Sequence, residues 1–203
     1  MSGLGESRSA RGGPEAVRLP GLTDEELVAR AQSGERAALP EIYRRHVDGV
    51  HRRLSRLIGP DPEREDLLQQ VFIETFRSLA RFRGEARFAT YLYRVTTNIA
   101  YDHLKRRSRR DEVLSDEIGE RPGVEPTPEA IAIRRHEIDR AWRCLDRLKP
   151  KKRVAFLLRV VEGLSIEEIA EQVNAEPAAV SQRILYAQRE LVAMMRRGEK
   201  EPT

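Results

Sequence analysis

The sequence predicts an all-α protein: two small helical domains joined by a flexible acidic linker. Three observations carry that prediction. Apolar residues recur at helical spacing through residues 22–107 and again through 138–191. No run alternates with the period of two that a half-buried strand requires. A stretch rich in Pro, Gly and acidic residues separates the two periodic zones. At 203 residues the chain is long enough for more than one small core.

Taken in order, residues 1–21 are mostly Gly, Ser and Arg with two prolines, a composition that cannot nucleate a core and predicts a disordered tail. Structure is expected to start at Leu22-Thr23-Asp24-Glu25-Glu26-Leu27, where Thr23 can cap a helix, Glu26 closes a capping box and Leu22 staples against Leu27. Leu39, Ile42, Tyr43, Val47, Val50, Leu54 and Leu57 then mark a second helix beginning near Arg36. Pro40 falls in its first turn, where backbone N–H groups have no intrahelical acceptor. Gly59-Pro60-Asp61-Pro62 stops that helix. A third helix is expected from Asp66 to Phe82, with Leu67, Val71, Phe76 and Leu79 on one face, and Arg83-Gly84-Glu85 breaks it. A fourth runs from about Phe88 to Arg107. The first domain thus covers residues 22–110, the linker 111–133 and the second domain 134–198. In the second, Ile138, Ala141, Trp142, Leu145 and Leu148 form one stripe, and Val154, Leu157, Leu158 and Val161 another.

The most specific local pattern lies between Leu164 and Leu191. Ser165-Ile166-Glu167-Glu168 is a second capping box. The short helix it opens ends near Asn174, a residue that tolerates the left-handed conformation of tight turns. Pro177 suits the first position of a following helix, whose Val180, Ile184, Ala187 and Leu191 form a buried stripe. Ser181, Gln182, Arg183 and Tyr186 are left outward. Short helix, tight turn and second helix with outward polar residues is a helix-turn-helix, whose second helix can enter a major groove.

Composition excludes several classes. No stretch approaches the roughly 18 apolar residues that cross a bilayer, so no direct membrane insertion is expected. A lone cysteine, Cys144, excludes an internal disulfide framework and fits a reducing cytoplasm. His46, His51, His103 and His136 have no metal-ligand spacing, and neither a phosphate-cradling glycine loop nor a glycine-flanked nucleophile is present. No catalytic residue, metal or cofactor is expected.

The net charge of +4 conceals a segregation. From Arg77 to Arg110 ten basic residues face only Glu85 and Asp102, a net of +8. From Asp111 to Ile133 seven acids face only Arg121, a net of −6. Five of the eleven aromatic residues (Phe82, Phe88, Tyr91, Tyr93 and Tyr101) lie inside the basic block. Concentrated positive charge draws polyanions by counterion release, and interleaved aromatic rings offer faces on which unstacked bases can lie.

Three segments carry a family resemblance. Glu65-Asp66-Leu67-Leu68-Gln69-Gln70-Val71-Phe72, then Phe82-Arg83-Gly84-Glu85 and Phe88-Ala89-Thr90-Tyr91-Leu92-Tyr93-Arg94-Val95-Thr96-Thr97-Asn98, closely resemble region 2 of extracytoplasmic-function (ECF) sigma factors. Val161-Glu162-Gly163-Leu164-Ser165-Ile166-Glu167-Glu168-Ile169-Ala170 resembles the start of their region 4 helix-turn-helix. The likeness spans residues 22–196, with both halves in order, and implies a dissociable promoter-recognition subunit of bacterial RNA polymerase without a full region 3. By the same resemblance, residues 66–72 dock on the coiled coil of the largest polymerase subunit, through Asp66, Leu67, Gln69, Gln70 and Phe72. Gln69-Gln70 stands where many relatives have Gln-Glu, which removes one potential charge pair.

The loop and fourth helix are implied to open the −10 promoter element. Arg83, Arg87, Arg94, Lys105 and Arg106 form a cationic track, Phe88, Tyr91 and Tyr93 offer ring faces, and the loop from Arg83 to Thr90 forms a pocket for a flipped base with Asn98 at its floor. An amide there suits a base edge because it both donates and accepts. Tyr91 replaces the family's usual Trp. Region 4 is implied to contact the polymerase flap and to read the −35 element through Ser181, Gln182, Arg183 and Tyr186. Its recognition helix has fewer arginines than is usual, which predicts weaker and less salt-sensitive phosphate binding. The acidic linker corresponds to the segment that threads the polymerase active-site and RNA-exit region. An anti-sigma factor is a further implied partner, and the cytoplasm the implied location. The competing reading is a stand-alone helix-turn-helix regulator that binds duplex DNA without polymerase; it leaves the pattern at residues 65–98 unused. A purely structural helical adaptor leaves both charge blocks unexplained.

Overall fold

The computed structural model describes residues 19–113 and 129–198. They form eight α-helices, and no strand occurs among the described residues. The tail is therefore outside the described residues up to position 18, and so is the linker from 114 to 128.

The first four helices are α1 (Asp24–Gln32), α2 (Ala38–Ile58), α3 (Arg64–Ser78) and α4 (Phe88–Val113), with a 3₁₀ turn at Leu79–Arg81. Thr23 caps α1 through the expected box: its hydroxyl accepts from the Glu26 N–H, and Glu26 accepts from the Thr23 N–H at 2.7 Å. The sequence places the third helix two residues late and extends it into what is a separate 3₁₀ turn, because Arg64 and Glu65 carry no apolar signal. It also ends the fourth helix at Arg107, six residues early, since a polar helical extension has no buried face to mark it. Leu27, Ile42, Val50, Leu54, Leu57, Val71, Phe88 and Leu92 are fully buried where these helices meet. Arg45 ties the N-terminal turn to α2, donating to the Leu22 carbonyl at 2.7 Å and to Glu41 at 2.8 Å. The Arg44 and Arg45 guanidinium groups hold the Glu41 carboxyl down at about 2.

The second set comprises α5 (Glu129–Asp146), α6 (Pro150–Val160), α7 (Ile166–Gln172) and α8 (Pro177–Gly198). Ser165 caps α7 through a box with Glu168, Asn174 turns with a φ of 47°, and Pro177 opens α8. All three are as the sequence predicts. Leu157, Leu158, Ile169, Val180, Ile184 and Ala187 make the shared core of α6, α7 and α8.

The two sets pack directly against one another, α6 lying along α2 and α4. Three buried or half-buried features knit this seam. Arg153, 1% exposed, donates to the Leu57 carbonyl at 3.1 Å and to the Ile58 carbonyl at 2.8 Å at the end of α2, and pairs with Asp146. Arg107 of α4 bridges Asp61 and the same Asp146. Trp142 lies on Gly59, where a Cβ would come within 2.7 Å of its ring and the backbone has a φ of +76°. Gly59→Ala therefore meets both a ring and a backbone region almost confined to glycine, which costs about 1–3 kcal/mol. The urea midpoint of the variant is expected to fall accordingly; an unchanged midpoint would show that Trp142 is not held against that turn.

Candidate functional site

The exposed face of α3 is built by the helical repeat. Asp66, Gln69 and Gln70 point outward, and Ile73, 62% exposed, continues the same face one turn on. Leu67 and Phe72, 2% and 3% exposed, instead belong to the core. Phe72 supports the surface from beneath, its ring centroid 4.6 Å from that of the half-exposed Tyr43. Sequence reasoning missed Ile73 and Tyr43, because an apolar residue on an amphipathic helix is assigned to the core unless its face is known.

The Arg83–Thr90 loop and the start of α4 form a cavity of about 340 Å³. Arg81, Arg83, Thr90, Tyr91 and Arg94 line it. Tyr91 is fixed from two sides. Its ring centroid lies 4.9 Å from Phe82, and its hydroxyl meets that of Ser78. The Arg94 guanidinium covers the ring at 5.9 Å, so a cation and a ring face share the cavity wall. Phe88 is fully buried beneath Phe82 and Tyr91 and has no face to offer a ligand, unlike the role the resemblance gave it. Arg87 is exposed on the same loop, and Lys105 and Arg106 are exposed about three turns beyond Arg94 on α4. Arg81 is a lining residue that the sequence reading placed only in the general basic block.

Asn98 lies outside that cavity. It lines a second, smaller one of about 110 Å³ with Thr97 and Tyr101 of α4. The opposite wall of this crevice comes from the helix-turn-helix: Asn174 in its turn and Arg183 of α8. Ser181, Gln182 and Tyr186 remain exposed on α8, Tyr186 with the Lys152 ammonium 5.6 Å from its ring centroid. Of the four outward residues expected on α8, three face solvent and Arg183 faces α4. No group of three or more His, Cys, Asp or Glu side chains able to hold a metal occurs among the described residues. None of the described helices is long and apolar enough to cross a membrane.

These surfaces coincide with two known sequence families. The family model "Sigma-70 region 2" matches residues 42–110, and "Sigma-70, region 4" matches residues 138–191. An ECF RNA polymerase sigma factor of Mycolicibacterium smegmatis, SigE, is 36% identical over 78% of this chain and 63% of its own length. The ECF RNA polymerase sigma-E factor of Haemophilus influenzae is 32% identical, over 84% of this chain and 94% of the relative; that of Escherichia coli is 31% identical, over 82% and 91%. Among solved structures, CnrH in complex with the cytosolic domain of CnrY has a similar fold, with a TM-score of 0.57 at 23% identity over 85% of this chain and 96% of that one. The sigma factor RpoE in complex with the anti-sigma factor NepR from Bartonella quintana also scores 0.57, at 16% identity over 77% and 96%.

Proposed function

The chain belongs to the ECF sigma factors of RNA polymerase, and from that premise we propose that it binds the polymerase core, recognises promoters and opens the −10 element, without catalytic chemistry of its own. The observation that carries the reading is the cavity under the α3–α4 loop. Melting DNA requires a cationic path for the backbone together with a flat face for a base that has left the stack. Arg81, Arg83 and Arg94 supply the first, and the Tyr91 ring the second. Each base–ring contact contributes about 1–3 kcal/mol, enough to offset the unstacking of a single step.

The remaining surfaces take the other family roles. The α3 face of Asp66, Gln69, Gln70 and Ile73 docks on the coiled coil of the largest polymerase subunit, with Leu67 and Phe72 holding its shape from the core. Arg87, Lys105 and Arg106 extend the cationic path, and Asn98 reads a base edge. Ser181, Gln182, Arg183 and Tyr186 read the −35 element. Region 4 also engages the polymerase flap. An anti-sigma factor is a further partner; one protein of similar fold, the sigma factor RpoE, is bound to the anti-sigma factor NepR in its solved structure. These activities place the protein in the cytoplasm.

Run-off transcription with purified core polymerase separates this reading from a stand-alone regulator, since only a sigma factor confers promoter-specific initiation on core. Asp66→Arg reverses charge on an exposed position of α3 without touching the core of the fold. It is expected to reduce co-purification of core polymerase and run-off product together while leaving the helical content unchanged. Equal recovery of core by variant and wild type would remove α3 from the docking surface.

A further inference from the structure

The helix-turn-helix lies on the DNA-facing side of the first domain rather than beside it. Glu171 and Gln172, the last two residues of α7, line the same 340 Å³ cavity as Arg83, Tyr91 and Arg94. Asn98 and Arg183, one assigned to each promoter element, face each other across the 110 Å³ crevice. The elements they would read are separated by roughly 25 base pairs, which is about 80 Å of duplex at 34–36 Å per turn. Surfaces that close on one small crevice cannot reach both ends of such a span.

A specific contact holds α7 in this position. Arg53 of α2 is 4% exposed and donates to Gln172 at 2.6 Å and to Thr97 at 3.3 Å. Glu162, just before α7, pairs with Arg53 at 3.5 Å and with Arg56 at 3.0 Å. The Tyr93 ring completes the enclosure, 4.9 Å from the guanidinium. A buried guanidinium so enclosed is stable only while all its partners are in place, because loss of any one leaves a desolvated charge incompletely paired. Glu171, meanwhile, lines the same cavity as Arg81, Arg83 and Arg94 and adds an acidic residue where a DNA phosphate or a base would otherwise lie. Both features are specific to the packed arrangement, and neither serves the core of either helical set.

We propose that this arrangement is self-masked: α7 is an internal plug of the DNA-melting cavity, latched through Arg53 to Gln172 and Glu162, and the chain binds DNA only after the latch opens. The proposal rests on the promoter-melting reading of that cavity. It assigns the masking to the chain itself, with no second protein needed.

Two variants open the latch without adding positive charge. Gln172→Ala is neutral, and Arg53→Met removes a cation, so electrostatics alone predicts unchanged binding for the first and weaker binding for the second. Opening is read from Trp142, the sole tryptophan, which lies on Gly59 in the seam and whose emission shifts to the red when the halves part. Binding is read as the fluorescence anisotropy of a labelled single-stranded oligodeoxynucleotide of random sequence, without polymerase. A site available in only a tenth of molecules binds about tenfold more weakly than the open form, so both variants are expected to bind roughly tenfold more tightly than wild type, with red-shifted Trp142 emission. Unaltered far-UV circular dichroism identifies opening as distinct from unfolding. A red shift with unchanged affinity overturns the masking, and unshifted emission in both variants overturns the latch. Run-off transcription by the wild-type chain with core polymerase is measured in parallel. Its failure would sink the sigma-factor reading, whereas the two affinity comparisons decide the masking by themselves.

Discussion

Replacing Arg153 with alanine is expected to lower the stability of the packed chain by about 3–5 kcal/mol, the range found when one partner of a buried ionic pair is removed. The reason is the number of groups that one side chain satisfies. The carbonyls of Leu57 and Ile58 are among the last of α2 and have no intrahelical donor, so Arg153 supplies one from across the seam at 3.1 Å and 2.8 Å. Its positive charge also sits at the negative end of the α2 dipole. It pairs with Asp146 and lies 5.6 Å from the Trp142 ring centroid. Alanine leaves the carbonyls buried without that donor and removes one of the partners of Asp146. Urea titration followed by Trp142 emission checks the expectation: the midpoint falls well below that of wild type, ahead of the loss of helix content. Arg153→Lys is expected to recover little, because an ammonium lacks the planar fork that reaches two carbonyls and a carboxylate together. A midpoint unchanged in the alanine variant would mean that the seam does not depend on this guanidinium.

The seam is also the part of the molecule that the sequence left unread. Helix existence, both capping boxes, the left-handed Asn174 and Pro177 at the start of α8 are local matters, decided by residues within a few positions of one another, and they were legible. So were the candidate surfaces as segments, because charge and aromatic content cluster along the chain. What joins α2 and α4 to α6 and α7 is different in kind. Arg53 and Gln172 are 119 positions apart, and an arginine in a helix reads as a solvated cation until its burial is known. Trp142 reads as one more residue of an apolar stripe, and Gly59 as a helix stop. That the two fit together depends on a ring 83 positions away in the sequence. The two helical sets that the sequence predicts are present, and among the described residues they also share a specific polar seam. The same gap explains the site residues whose places differ. Leu67, Phe72 and Phe88 lie within the family pattern yet are buried, and a motif does not distinguish an exposed residue from one in the core.

Asp61→Asn is expected to cost about 2–3 kcal/mol near neutral pH, within the range for hydrogen bonds made by a charged group. It should also change the acid limb of the stability curve. Asp61 follows the turn that ends α2. Its carboxylate accepts from His103 at 2.9 Å, from Arg107 at 2.9 Å and from the Glu63 N–H at 3.0 Å. Burial by itself would raise its pKa, but the hydrogen bonds from His103, the Glu63 backbone and Arg107 outweigh burial and hold the carboxyl well below its ordinary 3.8. A carboxyl depressed in the folded chain contributes stability that is fully present above its unfolded pKa, and that contribution is lost as pH falls through the lower, folded value. For wild type the loss from this group begins near pH 4 and continues downward. The asparagine variant is less stable at pH 7, and the difference between the two chains narrows steadily as the solution is acidified below pH 4. Denaturant midpoints measured for both chains from pH 7 down to pH 3 test this directly. Parallel curves would show that the Asp61 charge does not contribute to the folded state, and with it would go the bridge by which Arg107 links the α2–α3 turn to Asp146.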